Sequence, residues 1–481
     1  MPSDYSTATD GLPGSRRLLA ILALSSGTAL VVIDGAIATV ALPTIARDLA
    51  VSGSAAVLVV TIYQLVIVMT LLPFAHLGDR LGLRRLYQAG QAAFTITTAL
   101  CFFAHSLEML LFVRVLQALG ASAVLSVSPA MVREIYPARQ PGRGLGLNTV
   151  IVQCSAALAP TIGGIVLVFG SWPWVFASAV PFALVSLTLG RALPAPAPHN
   201  APFDIWGAAL CAAMFGLITS GVESAVSLGR PAVTAGILAA GALVGILFVR
   251  RELRDSRPIL PVDLLARPAI GLAAFGSFTA FTASMVLLVS LPFRLQHSFG
   301  FSPVEVGGAI AAWPLATMIA APVAGALADR YPAGLIGGMG MILAGGALAS
   351  FAWVPGTPHL ADFVWRMAMC GTGFGMFISP NGRFVIGSAP RARAAAAGAL
   401  VGTIRLFGQT MGASLAAALL AFGLGRSAAP AMVAMCLALV ALGCSALSFG
   451  PRARSRRAIM SILGEEETAL SGATGERAFR D

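Results

Sequence analysis

The sequence has little charge and no lysine. Only 11% of its 481 residues are charged and 57% are hydrophobic, whereas soluble globular proteins carry about 25% charged residues. A water-soluble fold is excluded, because so much apolar surface would meet water on any folded exterior. Without lysine the chain cannot form a Walker loop, and it also lacks H-E-x-x-H and G-x-S-x-G motifs. These absences argue against an enzyme and against transport powered by ATP within this chain.

Cysteine and histidine, the usual metal-binding residues, are also scarce. Six cysteines fall inside apolar runs, and five histidines are scattered at loops and segment ends. No cysteine pair has the spacing of metal ligands, so the cysteines are interpreted as small buried hydrophobic residues. The sequence therefore predicts neither a metal site nor a cofactor.

Apolar segments long enough to cross a lipid bilayer are abundant. A spanning helix needs about 20 apolar residues, and this rule predicts fourteen spans. They lie near residues 18–42, 55–76, 87–105, 108–130, 147–169, 174–192, 205–221, 233–250, 270–292, 304–326, 335–353, 362–383, 397–420 and 430–450. Because the links between them are short, we expect an all-α polytopic membrane protein made of helical hairpins.

Arginine predicts the orientation of the chain. A formal net charge of +11 can indicate nucleic-acid binding, but the 31 arginines stand in short clusters between apolar runs. If the N-terminus lies inside the cell, 23 arginines fall in cytoplasmic segments and four fall outside. Cytoplasmic loops carry an excess of positive charge. The pattern therefore predicts that both termini are cytoplasmic and that the partner is lipid, with no nucleic acid.

A linker and a repeat predict two related halves. The Pro/Ala-rich segment 191–204 follows six spans and is expected to separate two bundles. AHLGDR at 75–80 and GALADR at 325–330 follow the second and the tenth span, which suggests a duplicated unit of the kind found in secondary transporters. The predicted parts are a cytoplasmic segment (1–17), a six-helix bundle (18–192), a linker with two inserted helices and a cytoplasmic loop (193–268), a second six-helix bundle (269–450) and a cytoplasmic tail (451–481).

Asp34 is the most informative residue, because it lies well inside the first span. A carboxylate at bilayer depth is costly unless it is paired, hydrated or protonated. This favours proton coupling or cation binding, and the alternative is a structural carboxylate bonded to a neighbouring helix. Arg114 lies at nearly the same predicted height, so it is either an ion-pair partner or an arginine that snorkels to the outer interface. Gln117, one turn on, either holds a polar substrate or bonds between helices.

Two further charged residues have open interpretations. Arg405 lies inside the thirteenth span and is either a counter-charge, a gating residue or a donor to helix carbonyls. Glu223 closes the seventh span, and we interpret it as part of a solvated loop outside the membrane.

Small residues and a proline mark the fifth span. These are Gly146, Ser155, Ala159, Pro160, Gly163 and Gly164. Small residues let helices approach closely, and a proline bends a helix. The pattern is explained either by generic close packing or by a bend at a gating interface.

Several of these segments together resemble the major facilitator superfamily, in particular its fourteen-helix drug:proton antiporter branch, over roughly residues 18–450. The motifs are IDGAIATVALPTI around Asp34, the loop AHLGDRLGLRR, and RVLQALG, which begins at Arg114. The fifth span resembles the branch's antiporter motif, with Ser155 and Ala159 in place of two glycines. The loop is similar to the family's conformational latch. Its residues here are Asp79, Arg80, Gly82, Arg84 and Arg85, with Asp329 and Arg330 in the repeated copy.

This resemblance implies a major-facilitator-type two-bundle fold and a proton-driven antiporter in the plasma (inner) membrane of a bacterium. The implied cargo is amphipathic or cationic drugs and toxic compounds, as in multidrug efflux. Proton motive force replaces any cofactor, and the implied partners are lipid, protons and a small-molecule substrate, with the chain acting as a monomer. The alternatives are export of an endogenous metabolite, siderophore or sugar and, more remotely, a polytopic membrane enzyme.

Overall fold

The structure, a computed structural model, describes residues 12, 14–136, 141–194, 204–227, 230–255, 258–328, 330–390 and 393–448. Apart from single-turn 3-10 segments and connecting turns, these residues are α-helical. The helices are α1 (Gly14–Asp48), α2 (Gly53–Leu81), α3 (Leu83–Cys101), α4 (Leu107–Ile135), α5 (Pro141–Phe169), α6 (Pro173–Ala177), α7 (Val180–Leu189), α8 (Ile205–Ser227), α9 (Pro231–Glu252), α10 (Val262–Leu265), α11 (Pro268–Phe299), α12 (Pro303–Leu327), α13 (Ala333–Ser350), α14 (Leu360–Gly387), α15 (Ala394–Ala421) and α16 (Ala429–Ser448).

The helices show that the chain is a polytopic membrane protein. Helical structure lies at each predicted span, and eleven stretches in the described part of the chain are long and apolar enough to cross a membrane. Neither α3 nor α14 is among the eleven, and the described part of α5 contributes only the shorter stretch Cys154–Phe169. Fourteen crossings, the sides of the termini and the predicted domain boundaries therefore stay predictions. Most of the predicted linker 191–204 and all of the tail 451–481 lie outside the described residues.

The sixth predicted span, 174–192, is a broken helix and not a continuous one. It consists of α6 and α7, with Pro181 in the first turn of α7. A proline ring clashes with the carbonyl group four residues earlier, and a proline has no N–H to donate. That carbonyl belongs to Ala177, the last residue of α6. Pro181 therefore favours a break at this position, although other prolines, such as Pro160, lie inside continuous helices.

Short turns join the antiparallel helices, and local sequence explains where the helices start. Ser52, Ser106 and Ser302 precede α2, α4 and α12, and each hydroxyl accepts a hydrogen bond from a backbone N–H in the first turn. Between α2 and α3 the chain turns at Gly82, whose φ of 97° suits a residue without a Cβ.

Two seams join the N-terminal helices to the C-terminal ones. In the first half α1 packs on α5 and α7, and α4 packs on α2 and α3. In the second half α11 packs on α15 and α16, and α14 packs on α12 and α13. The seams between the halves are formed by α5 with α12 and by α2 with α15. The hairpin of α8 and α9 lies against the second seam, because α8 packs on both α2 and α15.

The α5–α12 seam brings two backbones together. A Cβ at Gly164 would stand 2.6 Å from the Pro303 carbonyl oxygen, and one at Gly307 would overlap the Pro160 carbonyl. On its other side α5 meets α1, where Gly163 faces Ile37. The glycines of the predicted antiporter helix therefore permit contacts that a side chain would prevent.

Candidate functional site: a buried acid–arginine–amide cluster

Asp34 and Arg114 form an ion pair in the interior of the N-terminal bundle. Nη1 of Arg114, on α4, donates to Oδ2 of Asp34, on α1, at 2.6 Å. The side chain of Arg114 is 0% exposed and that of Asp34 is 1% exposed. The equal heights predicted from the sequence thus correspond to direct contact. Arg114 does not snorkel to an interface.

Gln117 connects the pair to α3. Its Nε2 donates to Oδ1 of Asp34 at 3.0 Å and to Oγ1 of Thr98 at 2.7 Å, and its Oε1 accepts from Nη1 of Arg114 at 2.6 Å. Gln117 and Arg114 are three residues apart on α4 and therefore share one helix face. As a result both carboxylate oxygens of Asp34 have donors, one charged and one neutral.

Aromatic rings enclose the guanidinium. Its central carbon lies 4.0 Å from the centroid of the Tyr63 ring on α2 and 5.2 Å from that of Phe176 on α6. Nε of Arg114 donates to the Val59 carbonyl at 3.3 Å, while Nη2 is buried without a partner among the described residues. Ring faces attract a cation strongly when water is absent, so the positive charge is held by Asp34 and by the π electrons around it.

The burial of the ion pair makes loss of either charge costly. As it stands the pair is neutral, and solvent does not reach it. Protonating Asp34 in place would leave Arg114 as an uncompensated buried charge, and breaking a buried pair costs about 3–5 kcal/mol. A proton on Asp34 would therefore favour separation of its side chain from that of Arg114.

Arg405 does not join this cluster. It lies on α15 of the other half and is half-buried. Its Nε is buried without a partner, and its guanidinium forms no hydrogen bond or ion pair with any described residue. The alternative of bonding to helix carbonyls is therefore not realised in this conformation.

Glu223 does not lie in a solvated loop, as the sequence suggested. Helix α8 continues to Ser227, and Oε1 of Glu223 accepts a hydrogen bond from the Ser414 hydroxyl of α15 at 3.3 Å. A carboxylate can lie within an apolar helix when a hydrogen-bond donor on a neighbouring helix satisfies it. The apolar run ends at this acid, but the helix does not.

The predicted latch residues lie at an end of the N-terminal bundle. Asp79 and Arg80, in the last turn of α2, are exposed, and neither forms an ion pair with a described residue. Arg84 and Arg85 lie in the first turn of α3, directly after Gly82. In the repeated copy Arg330 is exposed, while Asp329 lies outside the described residues. The latch stays a prediction.

The predicted antiporter helix is α5, and its small residues face neighbouring helices. Ser155 is 6% exposed and Ala159 is 0% exposed. Pro160 lies inside the helix, and Gly146 lies in its first part. Through Gly163 and Gly164, α5 contacts both α1, which carries Asp34, and α12 of the other half.

Sequence reasoning missed three members of the cluster, which are Tyr63, Thr98 and Phe176. Tyr63 carries a signal that could have identified it, because it lies inside a span, whereas tyrosines in membrane proteins favour the two interfaces. Thr98 lies in a run of threonines in α3, and Phe176 in an apolar segment. Neither differs from its neighbours in a way that marks a contact with the cluster.

The described residues form two packed halves of helices, and the N-terminal half encloses a buried acid and its partner arginine. This architecture is that of a membrane transporter. The chain belongs to the Major Facilitator Superfamily, whose family model matches residues 24–413. Its relatives are transporters and not enzymes.

The relatives differ in what their names say of cargo. "Uncharacterized transporter YebQ" of Escherichia coli (strain K12) is 41% identical over 93% of this chain and 99% of its own length. Riboflavin transporter RibZ of Clostridioides difficile (strain 630) is 28% identical over 81% of this chain and 85% of its own. Multidrug efflux pump LfrA of Mycolicibacterium smegmatis (strain ATCC 700084 / mc(2)155) is 28% identical over 85% of this chain and 82% of its own.

Solved structures confirm the fold. A bacterial homolog of the human lysosomal transporter Spinster, in an inward-facing and unoccupied conformation, superposes with a TM-score of 0.66. It is 17% identical and covers 91% of this chain and 98% of its own. At this identity the likeness concerns the fold alone.

Proposed function

We propose that the protein is a proton-coupled antiporter that exports amphipathic organic compounds, including drugs and toxic compounds, across the inner membrane of a bacterium. We propose further that it crosses the membrane fourteen times, with both termini in the cytoplasm. The observation that carries the proposal is the Asp34 carboxylate, buried in α1 against Arg114. The multidrug efflux pump among the relatives supports this class of cargo.

In this mechanism Asp34 alternates between two partners, Arg114 and a proton. Protonation from the outside releases Arg114, and the guanidinium then needs another neutralising contact, because an uncompensated buried charge is costly. The need to neutralise Arg114 favours a different arrangement of α1 and α4. When the proton leaves on the inside, the ion pair forms again and the first arrangement is restored.

Movement at the seams turns this local change into transport. Because α1 packs directly on α5 at Gly163, and α5 packs on α12 at Gly164, a shift of α1 acts on the seam between the halves. Opening and closing of the α5–α12 and α2–α15 seams would expose a central site to one side at a time. The carboxylate and the seam are therefore linked by two helix contacts.

The test is export by the purified protein in liposomes. With an imposed pH gradient, acid on the side that corresponds to the cell exterior, we expect substrate dyes to accumulate on the acidic side. A protonophore should abolish this accumulation. Accumulation that survives the protonophore would contradict proton coupling, and a complete absence of dye movement across a broad panel would contradict drug export.

Export of an endogenous metabolite is the second candidate, and one observation favours it. A riboflavin transporter is 28% identical over 81% of this chain. A broad substrate panel separates the two functions, since saturable transport of one metabolite with no effect of added drugs would support the metabolite and exclude the multidrug role.

A further inference from the structure

Arg405 is a charged side chain at mid-membrane depth that has no hydrogen-bond or ion-pair partner among the described residues. It lies eleven residues from Ala394, the first residue of α15, which is roughly 16 Å along the helix in a bilayer core about 30 Å thick. The guanidinium makes no hydrogen bond or ion pair with the described residues, and its Nε is buried. Arg114, by contrast, is neutralised by Asp34 at 2.6 Å.

The direction of Arg405 follows from the packing of α15. Successive helix residues are turned by about 100°, so Phe407 and Ser414 lie on the side opposite to Arg405. The ring of Phe407 lies tilted against that of Phe215 of α8, with ring centroids 4.9 Å apart, and the Ser414 hydroxyl donates to Glu223 of the same helix. Since α8 packs on the face of α15 that carries Phe407 and Ser414, Arg405 lies on the face of α15 turned away from α8.

The side of α15 that carries Arg405 is open in the first half of the helix, although Gly412, two turns after Arg405, packs on α11. Gly398 and Gly402 lie two turns and one turn before Arg405, and a Cβ at either position would meet nothing within 4 Å. Gln409, one turn after Arg405, is also only partly buried. Arg405 and Gln409 are thus partly accessible polar side chains that directly follow the open stretch of α15.

We propose that this face of α15 binds an anionic group of the transported compound, and that Arg405 is its ligand. A guanidinium offers a planar set of N–H donors that match the two oxygens of a carboxylate or the oxygens of a phosphate. A buried arginine at this depth is costly without a counter-charge. The carboxylate or phosphate of an anionic substrate would supply that counter-charge. A permanent cation would instead be repelled. The amide of Gln409 supplies a second donor one turn away.

This inference rests on the proposed export function and narrows its cargo. The predicted range of amphipathic or cationic compounds becomes amphipathic compounds with an anionic group, zwitterions included. Gating and pairing with another protein group in a second conformation are the rival roles of Arg405. Both predict that substitution changes transport of all substrates equally, whereas an anion-binding role predicts a change that depends on substrate charge.

The experiment compares two dyes that differ in one group. Rhodamine 110 carries a free carboxylate, and rhodamine 123 is its methyl ester and a cation. Binding to the purified full-length protein is measured by fluorescence polarisation. We expect rhodamine 110 to bind roughly ten- to hundredfold more tightly, as for a hydrogen bond to a charged group. Arg405→Gln should abolish this preference, Arg405→Lys should keep part of it, and Arg405→Glu should reverse it. Arg426→Gln, which removes an exposed arginine, is the matched control and should leave the preference unchanged.

Equal affinity for the two dyes, failure of both to bind, or a preference that survives Arg405→Gln in folded protein would each overturn the proposal. If Arg405→Glu does not fold, Arg405→Gln still decides. Because binding needs no gradient, the outcome is independent of proton coupling. A charge preference that depends on Arg405, without gradient-driven export, would leave this inference standing and overturn the proposed function.

Discussion

The contact between Asp34 and Arg114 predicts strong energetic coupling between α1 and α4. Asp34→Asn and Arg114→Met each remove one charge from a pair that is almost completely buried. Each single substitution leaves the other charge without its partner, which costs about 3–5 kcal/mol. The double substitution removes both charges. Its free energy of unfolding should therefore be no lower than that of either single variant.

The double-mutant cycle measures this coupling directly. Unfolding in SDS mixed micelles, followed by tryptophan fluorescence, gives the four free energies, and we expect a coupling energy of at least about 2 kcal/mol. The pair of Asp263 and Arg393 is a control, because its oxygen and nitrogen lie 2.9 Å apart but its side chains are 43% and 36% exposed. Exposed pairs contribute about 0–1 kcal/mol. Effects at Asp34 and Arg114 that add within about 0.5 kcal/mol would refute the buried pair.

Three further substitutions test other parts of the account. Gly307→Val places a side chain on the Pro160 carbonyl, so it should slow dye flux. Insertion in the membrane, measured by expression level, should be unaffected. An unchanged rate of dye flux would show that the α5–α12 seam is not close-packed. Glu223→Gln should leave gradient-driven export within about twofold, because the amide can still accept from the Ser414 hydroxyl; complete loss would place the acid in proton coupling. Gln117→Leu removes an amide that bonds to the buried acid, so it should lower the free energy of unfolding by about 1–3 kcal/mol. An unchanged free energy of unfolding in the SDS assay would contradict the bridging role of Gln117.

The ion pair at the centre of the candidate site could be predicted from the sequence, because charged residues are rare inside membrane helices. Acidic side chains seldom lie inside membrane helices, so Asp34 is conspicuous. Depth along the helix then selects Arg114 as a partner, because rise per residue is constant. The identity of both residues and their depth in the membrane thus follow from the sequence alone. The rotation of each helix about its axis does not, and rotation decides whether Tyr63 and Thr98 reach the same cluster.

Long-range partners explain what the sequence could not predict. Glu223 ends an apolar run, and its donor Ser414 is 191 residues away in the chain, so no local pattern shows that the helix continues. The break between α6 and α7 is a different case. Pro181 is visible in the sequence, and the clash of its ring with Ala177 could have predicted the break. The mean hydropathy of the predicted span 174–192 does not reveal this break.

The central claim is that Asp34 carries the proton that drives export. The most direct measurement compares two modes of transport in the same proteoliposomes, namely dye exchange without a gradient and dye accumulation driven by a pH gradient. Asp34→Asn should still exchange dye but should not accumulate it, whereas Asp48→Asn, at an acid of the same helix with a more exposed side chain, should do both. Gradient-driven accumulation by Asp34→Asn at the unmodified protein's level would contradict the account.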